Sequence, residues 1–164
     1  MKFAALVFSL STAVVACALA AELPSHDRKF AASAAEAGAA EVAEAKLALK
    51  KAHRSDLRKF AVQMVADHTK ANAELAELAK QLSVALPEEL DPDDRKRVDK
   101  LNALSGKDFD RAYIIDQISS HGSAVSLFTT EASLGQEPHL KAFASSTLPT
   151  LKMHQAKIKT IAGF

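Results

Sequence analysis

Residues 57–82 (LRKFAVQMVADHTKANAELAELAKQL) carry the pattern that constrains the fold of this chain most strongly. Apolar side chains recur there at every third or fourth position, which is the spacing of one face of an α-helix. Charged and amide side chains fill the positions between them, so one face is predicted to be buried and the other to be in solvent. His68 falls near the middle of the buried face, and Asp67 precedes it. The segment therefore predicts a long core helix that carries an ionisable pair.

Three further stretches have helical spacing, and the four stretches together predict an all-α fold. The first runs from about Asp27 to Ala52. The short turn at residues 53–55, with Ser55 as N-cap, makes this helix an antiparallel partner of the helix at 57–82. Its predicted inner positions are Phe30, Ala34, Gly38, Glu41 or Val42, Ala45 and Leu49.

The other two long helices form a second predicted hairpin. Ser105 and Asp108 have the S-x-x-D form of a capping box and start one helix, whereas Gly135 and Pro138 separate it from the last. Pro149 predicts a kink in that last helix near residues 145–148, because proline removes a backbone hydrogen bond. The predicted inner positions of this hairpin are Ile114, Ile118, His121, Val125, Phe128 and Ala132, then Leu140, Ala144, Leu148, Leu151, His154, Ile158 and Ile161.

A long connection joins the two hairpins. Pro87 ends the second long helix, and Asp91-Pro92 predicts the start of a short helix that reaches about Leu104. Neighbouring helices of a bundle are commonly joined by about 2–8 residues, so residues 84–105 predict a crossover that runs along the bundle. We therefore expect a single domain over residues 27–162, folded as a four-helix bundle with a long crossover between its second and third long helices.

Residues 1–20 predict a secretory signal peptide. Lys2 precedes an uncharged apolar stretch, and Ala18-Leu19-Ala20 has the small-x-small form of a cleavage site. The alternative is a bacterial lipobox at residues 14–17, in which Cys17 would carry a lipid anchor. The first reading predicts a periplasmic protein and the second a lipoprotein attached to the envelope membrane. The apolar stretch is too short to span a bilayer comfortably, and no transmembrane helix is expected in the mature chain.

Charge and cysteine content exclude several kinds of partner and of stabilisation. Removal of residues 1–20 takes away Lys2 and no acidic side chain, which lowers the net charge from +1 to zero. Because the charges are finely mixed, neither nucleic acid nor an anionic membrane is expected as a partner. Cys17 is the only cysteine, so the mature domain must be held together by packing without a disulfide. The sequence indicates no particular protein partner.

Several motifs, taken in order, resemble the DUF4142 family. They cover about residues 27–161 and are EVAEAKLAL, KFAVQMVADHTKANAELAELA, LPEEL, LSGKDFDRAY, SSHGSAVSLF and LKAFASSTLPTLKMH. The resemblance implies an exported bacterial protein with a ferritin-like four-helix bundle and no established activity. Members of that family tend to have aspartate before the histidine of the third long helix, where this chain has Ser120 before His121.

Four ionisable residues fall near the middle of the four predicted inner faces: Glu41, His68, His121 and His154. Helical bundles build metal sites from side chains on facing helices. Three imidazoles and a carboxylate suit one zinc, copper or iron ion, with Asp67 orienting His68 from outside. Glu44 would replace Glu41 if the first helix were rotated by about one residue. The pattern therefore predicts a site for a transition metal or a small ligand in the core.

The same residues also fit a buried polar layer that only fixes the packing of the helices. The chain would then be a non-catalytic structural or stress-related envelope protein. An enzyme is the weakest interpretation, since a di-iron centre needs Glu-x-x-His on two helices. The residues three positions before the three histidines are instead Val65, Ile118 and Leu151.

The remaining histidines and the glycines indicate no further site. His26, His53 and His139 fall near predicted helix ends and are expected to be solvated. The glycines are scattered singly, so no phosphate-binding loop is indicated.

Overall fold

The computed structural model describes residues 22–163, and every regular element in that range is a helix. The helices are α1 (Ser25–Lys51), α2 (Ser55–Gln81), α3 (Pro92–Asn102), α4 (Gly106–Leu134) and α5 (Pro138–Ala162). The predicted all-α class is thus confirmed. The predicted signal peptide and the predicted lipid anchor at Cys17 lie outside the described residues.

The four long helices pack as a ring. α1 contacts α2 and α4, and α5 contacts the same two helices. The short helix α3 lies mainly against α1 and also touches α4. Each long helix therefore has two long neighbours, and the side chains that all four point inwards share one interior.

Two buried aspartates hold the ends of α1 and α4 together. Asp110 in α4 accepts hydrogen bonds from the backbone N–H groups of residues 53 and 54, in the turn after α1, at 2.9 and 3.0 Å. Asp27 in α1 accepts hydrogen bonds from the N–H groups of residues 136 and 137, in the turn after α4. Because each helix binds the turn that follows the other, α1 and α4 are antiparallel and their relative position is fixed.

Apolar clusters fill the two ends of the interior. One lies towards the α1–α2 turn and includes Phe60 and Tyr113, and the other includes Phe30 and Phe128. A layer of buried polar side chains lies between them: Glu41, Glu44, His68, Gln117, His121 and His154. The core is therefore interrupted at mid-height by ionisable groups that need partners.

The inner face of α4 is rotated by about one residue from the prediction. The predicted inner residues Ile114, Ile118, Val125 and Ala132 are only partly buried. Tyr113 and Gln117 are fully buried instead, and the Gln117 amide donates a hydrogen bond to the carboxylate of Glu44 at 2.8 Å. A polar side chain with a buried partner can occupy a core position, which the apolar pattern does not register.

On α1, the prediction that Leu49 is an inner residue is wrong, since its side chain is 37% exposed.

The caps of the helices agree only in part with the sequence. Asp91 caps α3 as predicted, because its carboxylate accepts from two N–H groups of the first turn. Ser55 is not a cap, since α2 begins at Ser55 itself after Arg54, and Asp110 takes the N–H groups of that turn. Ser105 precedes α4 without a side-chain hydrogen bond, so the predicted capping box is absent there.

Two further predictions concern a kink in α5 and the absence of a transmembrane helix. α5 continues through Pro149, and the kink at that position stays a prediction. Over residues 22–163, none of the helices combines the length and the apolar character that a membrane span requires.

Arg97 attaches α3 to the core. Its guanidinium donates to Glu44 at 2.7 Å and contacts Asp94 at 2.7 Å. Burial raises the pKa of the Glu44 carboxyl, and the ion pair with Arg97 opposes this effect. The charge on Glu44 is therefore tolerated in the interior because a cation from α3 reaches it.

Arg97→Met is expected to lower the free energy of unfolding by about 2–3 kcal/mol, because it leaves the Glu44 carboxylate buried without its cation. Arg95→Met is the matched control, since Arg95 on the same helix pairs only with Glu89 at the surface. Such exposed pairs contribute about 0–1 kcal/mol. Urea unfolding of both variants tests this, and equal losses would contradict the anchoring role of Arg97.

Candidate metal centre

Three histidine rings from three helices meet in the middle of the protein. His68 on α2 is 5% exposed, and His121 on α4 and His154 on α5 are fully buried. The ring centroids lie 5.8 Å (His68–His121), 5.3 Å (His68–His154) and 5.5 Å (His121–His154) apart. One nitrogen from each ring lies within 4.8 Å of one from each of the others. We call these three residues the histidine triad.

One nitrogen of each ring contacts a hydrogen-bond acceptor. His68 Nδ1 lies 3.0 Å from Glu41 Oε2, and His121 Nδ1 lies 2.9 Å from the backbone carbonyl of Gln117. His154 Nε2 lies 2.8 Å from Asp67 Oδ2. Carbonyl and carboxylate oxygens only accept, so the neutral ring must carry its proton on the nitrogen that faces them.

The other nitrogen of each ring is therefore an unprotonated acceptor in the neutral state. These atoms are Nε2 of His68, Nε2 of His121 and Nδ1 of His154, and all three are buried. Within residues 22–163 they have no hydrogen-bond partner. A ring with one nitrogen held by an acceptor and the other left free is the usual state of a metal-binding histidine.

The three carboxylates have different roles from those predicted. Glu41 contacts the outer nitrogen of His68, and its second oxygen lies 3.6 Å from the outer nitrogen of His121, so it lies behind the rings. Asp67 binds His154, not the adjacent His68. Sequence proximity was misleading here, because the Asp67 side chain lies on the face of α2 that meets α5. Glu44 is engaged by Arg97 and Gln117 and does not substitute for Glu41.

Burial disfavours the charged form of two of the three histidines. It lowers the pKa of His121, an effect that the carboxylate of Glu41 opposes. Burial also lowers the pKa of His154 from 6.5 to about 4, against the hydrogen bond to Asp67. Burial raises the pKa of Glu41, but the nearby imidazoles and the His68 hydrogen bond outweigh it and lower the pKa overall. Near pH 7, His121 and His154 are therefore neutral, and Glu41 is charged.

The space beside the triad is small. A cavity of about 30 Å³ touches His68, His154 and Asp67, and apolar side chains make up most of its wall. This volume has room for a water molecule or an ion, but not for an organic cofactor. Gly38 on α1 lines the same cavity, where the side chain of Asn72 lies so close that a methyl group on Gly38 would clash with it.

Sequence reasoning missed several contacts around the triad. The carbonyl of Gln117 is a backbone group, which no residue pattern reveals. His53 and His139 are exposed as expected, but His26 is not simply solvated, since its Nε2 lies 3.2 Å from the buried carboxylate of Glu131. Nothing in the sequence related Glu131 to His26, because its neighbours at residues 129–133 are mostly polar.

The comparisons with known proteins agree on the fold. The family model DUF4142, described as a domain of unknown function, matches residues 12–161. None of the curated proteins matches the sequence of this chain.

Several solved structures are similar in fold. A DUF305 fragment from Deinococcus radiodurans has a TM-score of 0.75 and 14% identity, over 86% of this chain and 97% of that one. CopM in its Cu(I)-bound form has a TM-score of 0.69 and 19% identity, over 82% of this chain and 93% of that one. A putative secreted DUF305 protein from Streptomyces coelicolor has a TM-score of 0.70 and 13% identity, over 83% of this chain and 89% of that one.

Chelator-treated protein is expected to lose stability as the pH falls from about 6.5 towards 4. In this range the unfolded chain protonates His154, whereas the folded protein, with a pKa of about 4 at that residue, does not. This contribution is therefore complete above pH 6.5 and is lost on acidification. His154→Gln retains a donor for Asp67 and removes the titration, so its free energy of unfolding should depend less on pH.

His139→Gln is the control for this measurement, because His139 is exposed. Urea unfolding at several pH values compares the three proteins. The same pH dependence in His154→Gln and in the unmodified chain would contradict the lowered pKa of His154.

Proposed function

We propose that this chain, which belongs to the DUF4142 family, binds one transition metal ion through His68, His121 and His154. The observation that carries the proposal is the set of three buried, unpartnered ring nitrogens. Each ring is held from behind by an acceptor that keeps its inner nitrogen unprotonated. Bound metals are typically held by imidazoles that have an outer hydrogen-bond partner of this kind.

The inner nitrogens cannot satisfy one another. All three are acceptors in the neutral rings, and no hydrogen bond forms between two acceptors. One water molecule has two protons and would satisfy at most two of the three nitrogens. A metal ion accepts a lone pair from each of them, and it therefore accounts for the triad better than a buried water does.

Copper and zinc fit this donor set best. Imidazole nitrogen suits both metals, and a three-histidine zinc site is a common arrangement. Non-haem iron typically takes a carboxylate together with two histidines, whereas Glu41 lies on the outer side of the rings. CopM, which is similar in fold, was solved with Cu(I) and with silver. CopM is a precedent for the fold only. Because its identity is low, it does not assign ligands to this chain.

The proposed setting is an exported ferritin-like four-helix bundle. The ring of four long helices supports the bundle. The crossover is supported by α3, which follows α2 and precedes α4 in the chain. The apolar stretch at residues 1–20 supports export, with the bacterial periplasm as the main location and attachment through Cys17 as the alternative. Because the cavity beside the triad admits only an ion or a water molecule, binding and release of metal suit the site better than turnover of a substrate.

The competing proposal is that the triad belongs to a structural polar layer in a non-catalytic envelope protein. The contacts of Glu44 with Arg97 and Gln117 favour it, since both oxygens of this buried carboxylate are paired without a metal. The two proposals differ in what the inner nitrogens do. Variants that remove an inner nitrogen and keep the outer hydrogen bond therefore separate them.

His121→Asn and His154→Gln are designed for this test. Asparagine can place an N–H where Nδ1 of His121 meets the Gln117 carbonyl, and glutamine can place one where Nε2 of His154 meets Asp67. Both are expected to lose one equivalent of copper or zinc relative to the unmodified chain, in protein purified without chelator or affinity tag, as measured by elemental analysis. The metal-dependent part of stability should vanish with it, about 2.7 kcal/mol at a free metal concentration of 100 times Kd.

His139→Gln, an exposed replacement, should retain both the metal and the stabilisation. Thermal melts with and without chelator give the second readout. An unmodified protein that contains no metal, does not bind added copper or zinc, and melts at the same temperature after chelation would refute the metal site and leave the polar layer.

Asp67→Asn is expected to weaken the affinity of the triad for metal by about 10–100-fold, because the loss of an outer partner has this effect in other metal sites. The carboxylate of Asp67 is the only outer partner of His154 in residues 22–163. Asp116→Asn, at a half-buried carboxylate on α4, is the matched control. Competition titrations with a chromophoric chelator measure both affinities, and an unchanged affinity in Asp67→Asn would show that this contact does not tune the site.

A further inference from the structure

A second group of ionisable side chains lies at the C-terminal end of α4, away from the histidine triad. It consists of His26 and Asp27 in the first turn of α1 and Glu131 near the end of α4. One ligand atom from each residue lies within 4.8 Å of those from the other two. We call this group the α1–α4 end cluster.

Glu131 is the unusual member of the end cluster. Its side chain is fully buried, and within the described residues neither carboxylate oxygen has a hydrogen-bond partner. His26 Nε2 lies 3.2 Å from Oε2, but without the geometry of a hydrogen bond. A buried carboxylate that accepts no hydrogen bond is costly, and so the arrangement needs a proton on Glu131, a protonated His26 or a bound cation.

The backbone is arranged to accommodate this carboxylate. Gly135 follows Glu131 by one helical turn, and a Cβ at Gly135 would lie 2.5 Å from Oε1 of Glu131. Only glycine leaves room for the carboxylate against the turn between α4 and α5. Glycine at position 135 therefore makes the buried position of this carboxylate possible.

The electrostatics of the cluster favour a cation. Burial raises the pKa of Glu131, and the carboxylates of Asp27 and Glu137 raise it further, with only His26 opposing them. Asp27 already accepts from the N–H groups of residues 136 and 137, but a carboxylate has about four lone-pair sites, so it retains capacity for a cation. A divalent ion would balance the charges of Asp27 and Glu131.

We propose that His26, Asp27 and Glu131 form a second metal site, which binds a divalent cation of the zinc type through one imidazole nitrogen and two carboxylates. Mixed nitrogen and oxygen donors suit zinc and manganese more than Cu(I). The His26 side chain is 40% exposed, so the ion reaches this site directly from solvent. Its ligands join the start of α1 to the end of α4, and occupancy therefore stabilises that end of the protein. The proposal does not depend on metal binding at the triad.

The test is titration of Zn²⁺ into the chelator-treated full chain, followed by calorimetry. Glu131→Gln keeps the shape of the side chain and removes its charge, and His26→Gln removes the imidazole at a partly exposed position. Both are expected to lose one equivalent of Zn²⁺, or to bind it at least ~100-fold more weakly, since loss of an outer partner alone costs about 10–100-fold. His139→Gln, at an exposed histidine that contacts Glu137 and is not a member of the end cluster, should keep every equivalent.

His121→Asn separates this site from the triad. It should keep the equivalent that Glu131→Gln and His26→Gln lose, whatever happens at the triad. Circular dichroism checks that Glu131→Gln is folded, and if it is not, His26→Gln carries the test. Full Zn²⁺ binding by folded His26→Gln or Glu131→Gln would overturn the proposal, as would an equal loss in His139→Gln. Glu131 would then be a buried, protonated acid.

Discussion

The hydrogen bonds behind the three histidines are the interactions on which the centre of this protein depends. An imidazole placed in a helical core loses its hydration, and a fixed acceptor restores one of its two contacts. Glu41 and Asp67 supply charged acceptors, and the Gln117 carbonyl supplies a neutral one. Glu41 lies on α1 and Asp67 on α2, so the orientations of the His68 and His154 rings depend on correct packing of neighbouring helices, whereas His121 is held by its own helix.

The ends of the helices depend on a related principle. Asp27 and Asp110 are buried carboxylates that bind backbone N–H groups of turns belonging to the other helix. Residues 22–163 contain no cysteine, so these contacts fix helix ends where no disulfide can do so. They also bring His26 and Glu131 together, so the end cluster follows from the same antiparallel pairing of α1 and α4.

Local patterns in the sequence predicted the helices well and the contacts of the polar residues poorly. Periodicity placed His68, His121 and His154 on inner faces, because a buried face needs only i, i+3 and i+4 spacing. The same rule put Ile114 inside in place of Tyr113, since it treats polar residues as outward-facing. Gln117 is buried because of Glu44, which lies 73 positions away in the sequence. Asp67 likewise meets His154 across 87 positions, and no local pattern contains such pairings.

The two clusters pose different electrostatic problems, and this difference bears on the ions they would select. The triad offers three neutral nitrogens, and its negative charge lies outside the rings on Glu41 and Asp67. A cation there would be bound by the ring nitrogens and stabilised by carboxylates on the far side of the rings, an arrangement that suits soft or borderline ions. The end cluster places charged oxygens in direct reach of the cation and opens to solvent through His26. Harder divalent ions that exchange with the surroundings are favoured there, so a single chain would present one enclosed and one accessible site of distinct donor chemistry.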